Sequence, residues 1–225
     1  LFSAERELTP EEGGAEMTAY GDFHQHAQSA IRAGDALAPA AAAVRVTGGP
    51  DHPLVTDGPY AEGAEVALGY YVFETDNLDE VLELARRIPA ARRGAVEVRP
   101  MAFWNAPTER VATDWLALLL EQPADVHPPT SEEYQNSLCS HAEFGRAAGD
   151  HILCGAPLHE PSTATTIRVR DGETLFTDGP FAEGTEVASG FYLLRADNRD
   201  EAVKIASMIP ASAVEVRQLA GISAL

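Results

Sequence analysis

The chain has 225 residues, of which 45% are hydrophobic and 23% charged, enough to bury a core as one large domain or two small ones. Its formal net charge of −19 opposes approach to nucleic acid or anionic lipid, and no apolar run approaches the ~20 residues of a membrane span. Two cysteines without CxxC spacing, Cys139 and Cys154, argue against a disulfide framework or thiolate metal cage and suit a reducing cytoplasm.

Leu1-Phe2-Ser3 shows no charged leader ahead of an apolar core and reads as the tail of a strand whose beginning lies outside this numbering. A helix is expected from about 11 to 33, then strands over 43–47, 54–56 and 69–74. A second helix over 78–87 carries the apolar stripe Leu78, Val81, Leu82, Ala85, Ile88, and a strand follows at 96–99. Residues 101–113 are polar, contain Pro107 and read as a linker.

The second half opens with a strand at 115–120 and a breaker-rich loop at 123–129. Ser131 can cap a helix with the stripe Tyr134, Leu138, His141, Gly145, Ala148, stopped by Gly149. Strands at 165–169 and 174–177 flank Asp171-Gly172, a hairpin signal. A strand at 190–195, a helix at 199–208 ended before Pro210 and a strand at 214–218 complete the chain.

DGPYAE at 57–62 returns as DGPFAE at 178–183, and an offset of 121 aligns 54–90 with 175–211 at 21 identities in 37 positions. This is the scale of a duplicated unit. Upstream, an offset of 115 sets His26, Gly34 and Asp35 on His141, Gly149 and Asp150, making the first copy shorter there and leaving part of ILCGAPLHE without a counterpart.

Each copy reads β-α-β-β-α-β with one strand of the middle pair elaborated as a hairpin, an α+β, ferredoxin-like pattern with both helices on one sheet face. The other face would be apolar and bare, so two copies are expected to bury these faces against each other as an intrachain pseudo-dimer. The expected units are 1–100, a linker at 101–113, and 114–225.

DGPYAEGAE, GYYVFE and LDEVLELARRIPAARRGAVEVRP in the first copy, with HAEFGRAAGDHILCGAPL, DGPFAEGTE, GFYLL and IPASAVEVR in the second, resemble the YCII-related (YciI-like) family, in particular its DGPFAETKE group. The resemblance covers most of the chain. It implies a dimeric α+β barrel, made here from two repeats of one chain. Some relatives resemble muconolactone-type isomerases and dehalogenases, and others are encoded beside or fused to sigma factors. For YciI-like relatives, a His on the first helix and a nearby Asp are suggested as an acid/base pair. The Thr-Lys of DGPFAETKE is Gly63-Ala64 in one copy and Gly184-Thr185 in the other, leaving no lysine at either place.

His141 lies on the apolar stripe of its helix, and His26 is taken as its counterpart. A neutral imidazole there can serve as general base or acid near pH 7; the alternative is a core histidine bonded to a backbone carbonyl. Asp178 and Asp57 open DGP corners that can aim a carboxylate inward at that histidine, or simply cap their own turns. Glu183 and Glu62 are candidate second acids, with Glu186 and Glu65 three residues on; solvated loop carboxylates are the alternative. Tyr192 and Tyr71 can bring a hydroxyl into a pocket or pack in the core. His24 and His26 form an HxH, but on a helix they point ~200° apart, so no metal site is expected.

Two functions are compatible with these features. The first is a cofactor-independent enzyme acting on a small cyclic or lactone-like molecule by proton transfer (isomerase, cyclase or lyase), with the better site in the second copy. The second is a non-catalytic module binding a ligand or a protein partner, as the sigma-factor association of relatives suggests; association into a further homodimer is compatible with both.

Overall fold

Local capping sets the helices. In the computed structural model, which describes residues 1–58, 66–104, 114–181 and 186–221, Thr9 and Glu12 form a reciprocal capping box at the start of α1 (Pro10–Ala27). Asn77, Ser131 and Asn198 each accept a backbone N–H at the starts of α2 (Leu78–Ala85), α4 (Glu132–Ala148) and α5 (Arg199–Ala206). A short α3 spans Ala90–Arg93.

The strands of the first repeat are β1 (Phe2–Ser3), β2 (Ile31–Ala36), β3 (Val44–Thr47), β4 (Leu54–Asp57), β5 (Val66–Ala67), β6 (Gly69–Phe73) and β7 (Val96–Val98). Those of the second are β8 (Trp115–Glu121), β9 (Ile152–Pro157), β10 (Thr165–Arg170), β11 (Glu173–Asp178), β12 (Val187–Leu194) and β13 (Ala213–Gln218). The Asp171-Gly172 hairpin forms as expected: both residues take positive φ, at 52° and 82°.

Three sequence expectations change. The first helix ends at Ala27, not Ala33, because Ile31–Ala36 is a strand. Its counterpart is Ile152–Pro157: Gly34 pairs Tyr71 and Gly155 pairs Tyr192, so the offset of 121 continues upstream and the first copy lacks nothing there. Phe23 and Ala27 are therefore the counterparts of the buried Phe144 and Ala148, and the offset of 115 is withdrawn.

The third change concerns the hairpins. The second repeat has the strand order β13-β8-β12-β9, extended through β13 by the first repeat's hairpin β3-β4. Reciprocally, β10-β11 of the second repeat extends β7 of the first. Each hairpin thus leaves its own repeat, a non-local pairing that no local pattern encodes.

Alternation along β8 separates two cores. Trp115, Ala117 and Leu119 pack with Phe144, Ile205 and Val214 beneath the second repeat's helices. Leu116 on the opposite face packs with Leu193 and Phe191 and with Ala33 and Val72 of the first repeat. Paired arginines close the seam. Arg99 Nη1 donates to His159 O at 2.8 Å, and Arg217 Nε donates to Ala38 O at 3.0 Å. Each guanidinium also meets the carboxylate two residues before it in the chain, Glu97 or Glu215.

Candidate functional site

The stripe read from α4 is real but does not all pack against the sheet. Phe144 and Ala148 enter the core, while Tyr134, Leu138, His141 and Gly145 line a cavity of about 440 Å³ against β9 and β12. Leu119, Val126, Ile152, Ala156 and Phe191 give it an apolar lining.

His141 Nδ1 and the Tyr192 hydroxyl are 2.9 Å apart. Tyr192 meets Phe144 edge-on, with centroids 5.1 Å apart, and its ring covers Gly155, where an added Cβ would fall 2.5 Å from it. Glycine is required there by this close approach. Burial lowers the His141 pKa and raises that of Tyr192 to about 12. At neutral pH the pair is therefore a neutral imidazole beside a protonated phenol. The hydrogen bond fixes the ring and leaves Nε2 without a protein partner among the described residues.

Among the described residues that line this cavity, Glu121, Asp125 and Glu133 stand with His127, and none is lysine or arginine. Asp125 and Glu133 are exposed, which puts them toward the mouth, while Glu121 accepts hydrogen bonds from Ser212.

The first repeat keeps the tyrosine and glycine but changes the histidine. His24 Nε2 lies 2.6 Å from the Tyr71 hydroxyl, and the Tyr71 ring covers Gly34 as Tyr192 covers Gly155. Burial lowers the His24 pKa and raises that of Tyr71. With the corrected offset of 121, Tyr20 stands where His141 does and His24 where Gly145 does. His26 is exposed on another face of α1, in an open groove with Asp22, Arg86 and Arg92. The pairing of His26 with His141 is corrected accordingly, and His24 is the residue that sequence reasoning missed. Continuing the ungapped repeat upstream would have found it, because Phe23 then falls on Phe144 and turns the helix into the right phase.

The expected His–Asp pairs are not brought together. Asp178 and Asp57 end β11 and β4, the hairpin strands that cross to the opposite repeat, and both are exposed. Asp57 pairs with Arg199 instead. The DGP corners turn the chain: Gly58 and Gly179 have φ of 103° and 100° and donate back to Ala43 and Ala164. Phe181 beyond the second corner stacks on Phe2 with centroids 4.6 Å apart. Glu62, Glu65 and Glu183 lie outside the described residues. Both carboxylate oxygens of Glu186 accept from Arg45 Nη2, at 2.9 and 2.7 Å, joining the repeats. Among the described residues no group of three or more His, Cys, Asp or Glu is arranged to hold a metal ion, and no helix is long and apolar enough to cross a membrane.

The family model of the YCII-related domain matches twice, over residues 5–105 and 115–220. The chain belongs to the YCII-related family. Its two matches describe a tandem duplication within one chain. A curated relative, "Uncharacterized protein R00369" of Rhizobium meliloti (strain 1021), is 39% identical over 71 residues, 31% of this chain and 57% of the relative's length.

Gly155→Ala tests the geometry of this YCII site directly. The added methyl meets the Tyr192 ring, so the variant is expected to lose about 1–3 kcal/mol, the usual cost of overpacking. Gly145→Ala has nothing within 4 Å of the new Cβ and is expected to be silent. Thermal unfolding, with the His141 imidazole signals followed by NMR, checks both; an unmoved Tyr192–His141 pair in Gly155→Ala would contradict the packing described.

Proposed function

We propose that the chain is an enzyme that moves a proton on a small, compact organic molecule held between α4 and the β9/β12 edge of the second repeat, without a cofactor. The fold reading behind it is that the two repeats, each ferredoxin-like, close an α+β barrel within one chain. His141 is the general base or acid and Tyr192 its positioning partner. The observation that carries the reading is a neutral, oriented imidazole with an unpartnered Nε2 in a cavity of about 440 Å³, within the usual range for small-molecule sites. An open cavity beside the histidine fits small-molecule binding better than a module that only docks a protein partner, and turnover separates catalysis from ligand binding alone.

The lining also selects by charge. The three carboxylates among its described lining residues disfavour an anionic substrate and favour an uncharged or basic one, such as a lactone over its ring-opened carboxylate. Isomerisation fits most directly, because it needs only a proton removed from one carbon and returned to another; elimination fits where the proton taken from carbon is passed to the departing oxygen as its C–O bond breaks, and cyclisation is the reverse of that step within one molecule.

A panel of five- and six-membered lactones, their hydroxy-carboxylates and cyclic amines tests this reading, scored by melting temperature and by C–H exchange in D2O. Lactones are expected to stabilise the protein and to exchange a proton on the carbon next to the carbonyl, and cyclic amines to stabilise it without exchange. Stabilisation by the carboxylates alone, or lactone binding without exchange, would overturn the proposal.

A further inference from the structure

The first repeat carries a groove whose charge runs against that of the whole chain. It has a volume of about 870 Å³ and lies between α1, the turn from α2 into α3, and the β10–β11 hairpin that crosses from the second repeat. Four of the chain's 16 lysines and arginines line it: Arg86, Arg87, Arg92 and Arg170. His26 joins them, and Asp22 and Asp171 are the carboxylates among the described lining residues.

The fold does not call for this charge, and the second repeat is the control. Arg86 and Arg87 stand where it has Ser207 and Met208, and Arg170 stands where the first repeat's own hairpin has Gly49. Arg92 falls in 91–94, a segment that faces Ser212 alone in the second repeat and forms most of α3. The same scaffold is thus built without a cation at any of these places. Structural duties account for only part of the cluster. Arg86 pairs with Glu83 at 2.7 Å, and Arg170 donates to the carbonyls of Ala91 and Gly94 at 3.0 and 2.9 Å, which caps the end of α3 and fixes the guanidinium. Arg87 and Arg92 are exposed and make no side-chain hydrogen bond or ion pair among the described residues.

We propose that this groove binds a small phosphorylated molecule, its phosphate or diphosphate group held by Arg87 and Arg92 beside the anchored Arg170. Guanidinium groups match phosphate oxygens in a bidentate fashion, and the His26 imidazole can add a donor. Phe23, Pro89 and Val169 supply apolar surface for the rest of the molecule. The net charge sets the size of the ligand. Attraction to these arginines is short-ranged, within a Debye length of ~8 Å at physiological ionic strength, while the rest of a chain of net charge −19 repels anions. A compact anion fits inside the groove, whereas an acidic protein or a nucleic acid would extend over the repelling surface. The groove shares no lining residue with the His141 cavity, so it is a separate site.

Inorganic pyrophosphate, titrated at constant ionic strength and followed by calorimetry and by the amide NMR signals of Arg87, Arg92 and Gly172, tests the site. Saturable binding with shifts confined to the groove is expected. Arg87→Gln and Arg92→Gln together should weaken it about tenfold or more, as loss of charge-assisted hydrogen bonds does. Both side chains are exposed, so the double variant should keep the parent's Tm. Arg146→Gln, at an exposed position on α4 outside the groove, should leave binding unchanged. Absence of saturation, the same shifts with chloride, or equal binding by the double variant would each overturn the proposal. So would a tetraglutamate peptide that binds more tightly than pyrophosphate, because it would assign the groove to an acidic segment of a protein partner.

Discussion

His141→Ala is expected to lower turnover of the substrate found by the ligand panel by about 10² to 10⁴-fold, the range that a positioned general acid or base supplies. The loss should fall in kcat more than in KM, since the imidazole acts on the proton and the apolar lining holds the ligand. Burial holds the His141 pKa below the ordinary histidine value. As the base form is the neutral one, activity should be flat at neutral pH and fall as pH drops through that lowered pKa. Tyr192→Phe removes the hydroxyl partner without emptying the ring position and should give a smaller loss, about tenfold, with a moved acid limb. Asp178→Asn is the informative contrast: its carboxylate is exposed on a hairpin that leaves the repeat, so turnover should stay within about threefold. A large loss there with His141→Ala silent would reverse the assignment of roles and restore the His–Asp pair expected from sequence.

Those assignments mark where sequence reasoning reached and where it stopped. Signals confined to a few residues were readable: the Ser131 cap, the Asp171-Gly172 turn, the corner glycines and the α2 seam ending at the buried Ile88. The duplication was readable because identity over 37 positions does not depend on structure. Ile152–Pro157 and Ile31–Ala36 were not, because a six-residue segment with a central glycine reads as a loop. That glycine is there for the tyrosine ring that covers it, a contact between residues 37 apart in each repeat. Missing those strands left the hairpins as the middle pair of each unit, which in turn aimed Asp178 at His141. The crossing of the hairpins is decided by pairing between repeats. Helix phase carried the remaining error: a two-residue difference separates His24, bonded to Tyr71, from the exposed His26.

Arg217→Met is expected to be the most destabilising single substitution at the seam. Arg217 is 1% exposed, donates through Nε and Nη2 to Ala38 O of the other repeat, and meets Glu215 at 3.1 Å. Methionine keeps much of the volume but removes the cation, leaving a 5% exposed Glu215 without its guanidinium and the Ala38 carbonyl without these donors. Breaking a buried pair in this way costs about 3–5 kcal/mol, or roughly 10 °C in Tm for a chain of this length. Replacing Glu215 by leucine in the same chain should recover part of that loss, because the buried carboxylate is then gone as well. Arg99→Met removes the matching clamp on His159, which follows directly on the cavity-lining Leu158. It is therefore expected to weaken ligand binding in the second repeat, whereas Arg217→Met, whose clamp lies on the first repeat, should lower stability with little change in affinity. Chemical denaturation and ligand titration of the two variants separate these effects. Equal losses of affinity in both would mean that the seam holds the cavity as a whole and that neither clamp acts locally.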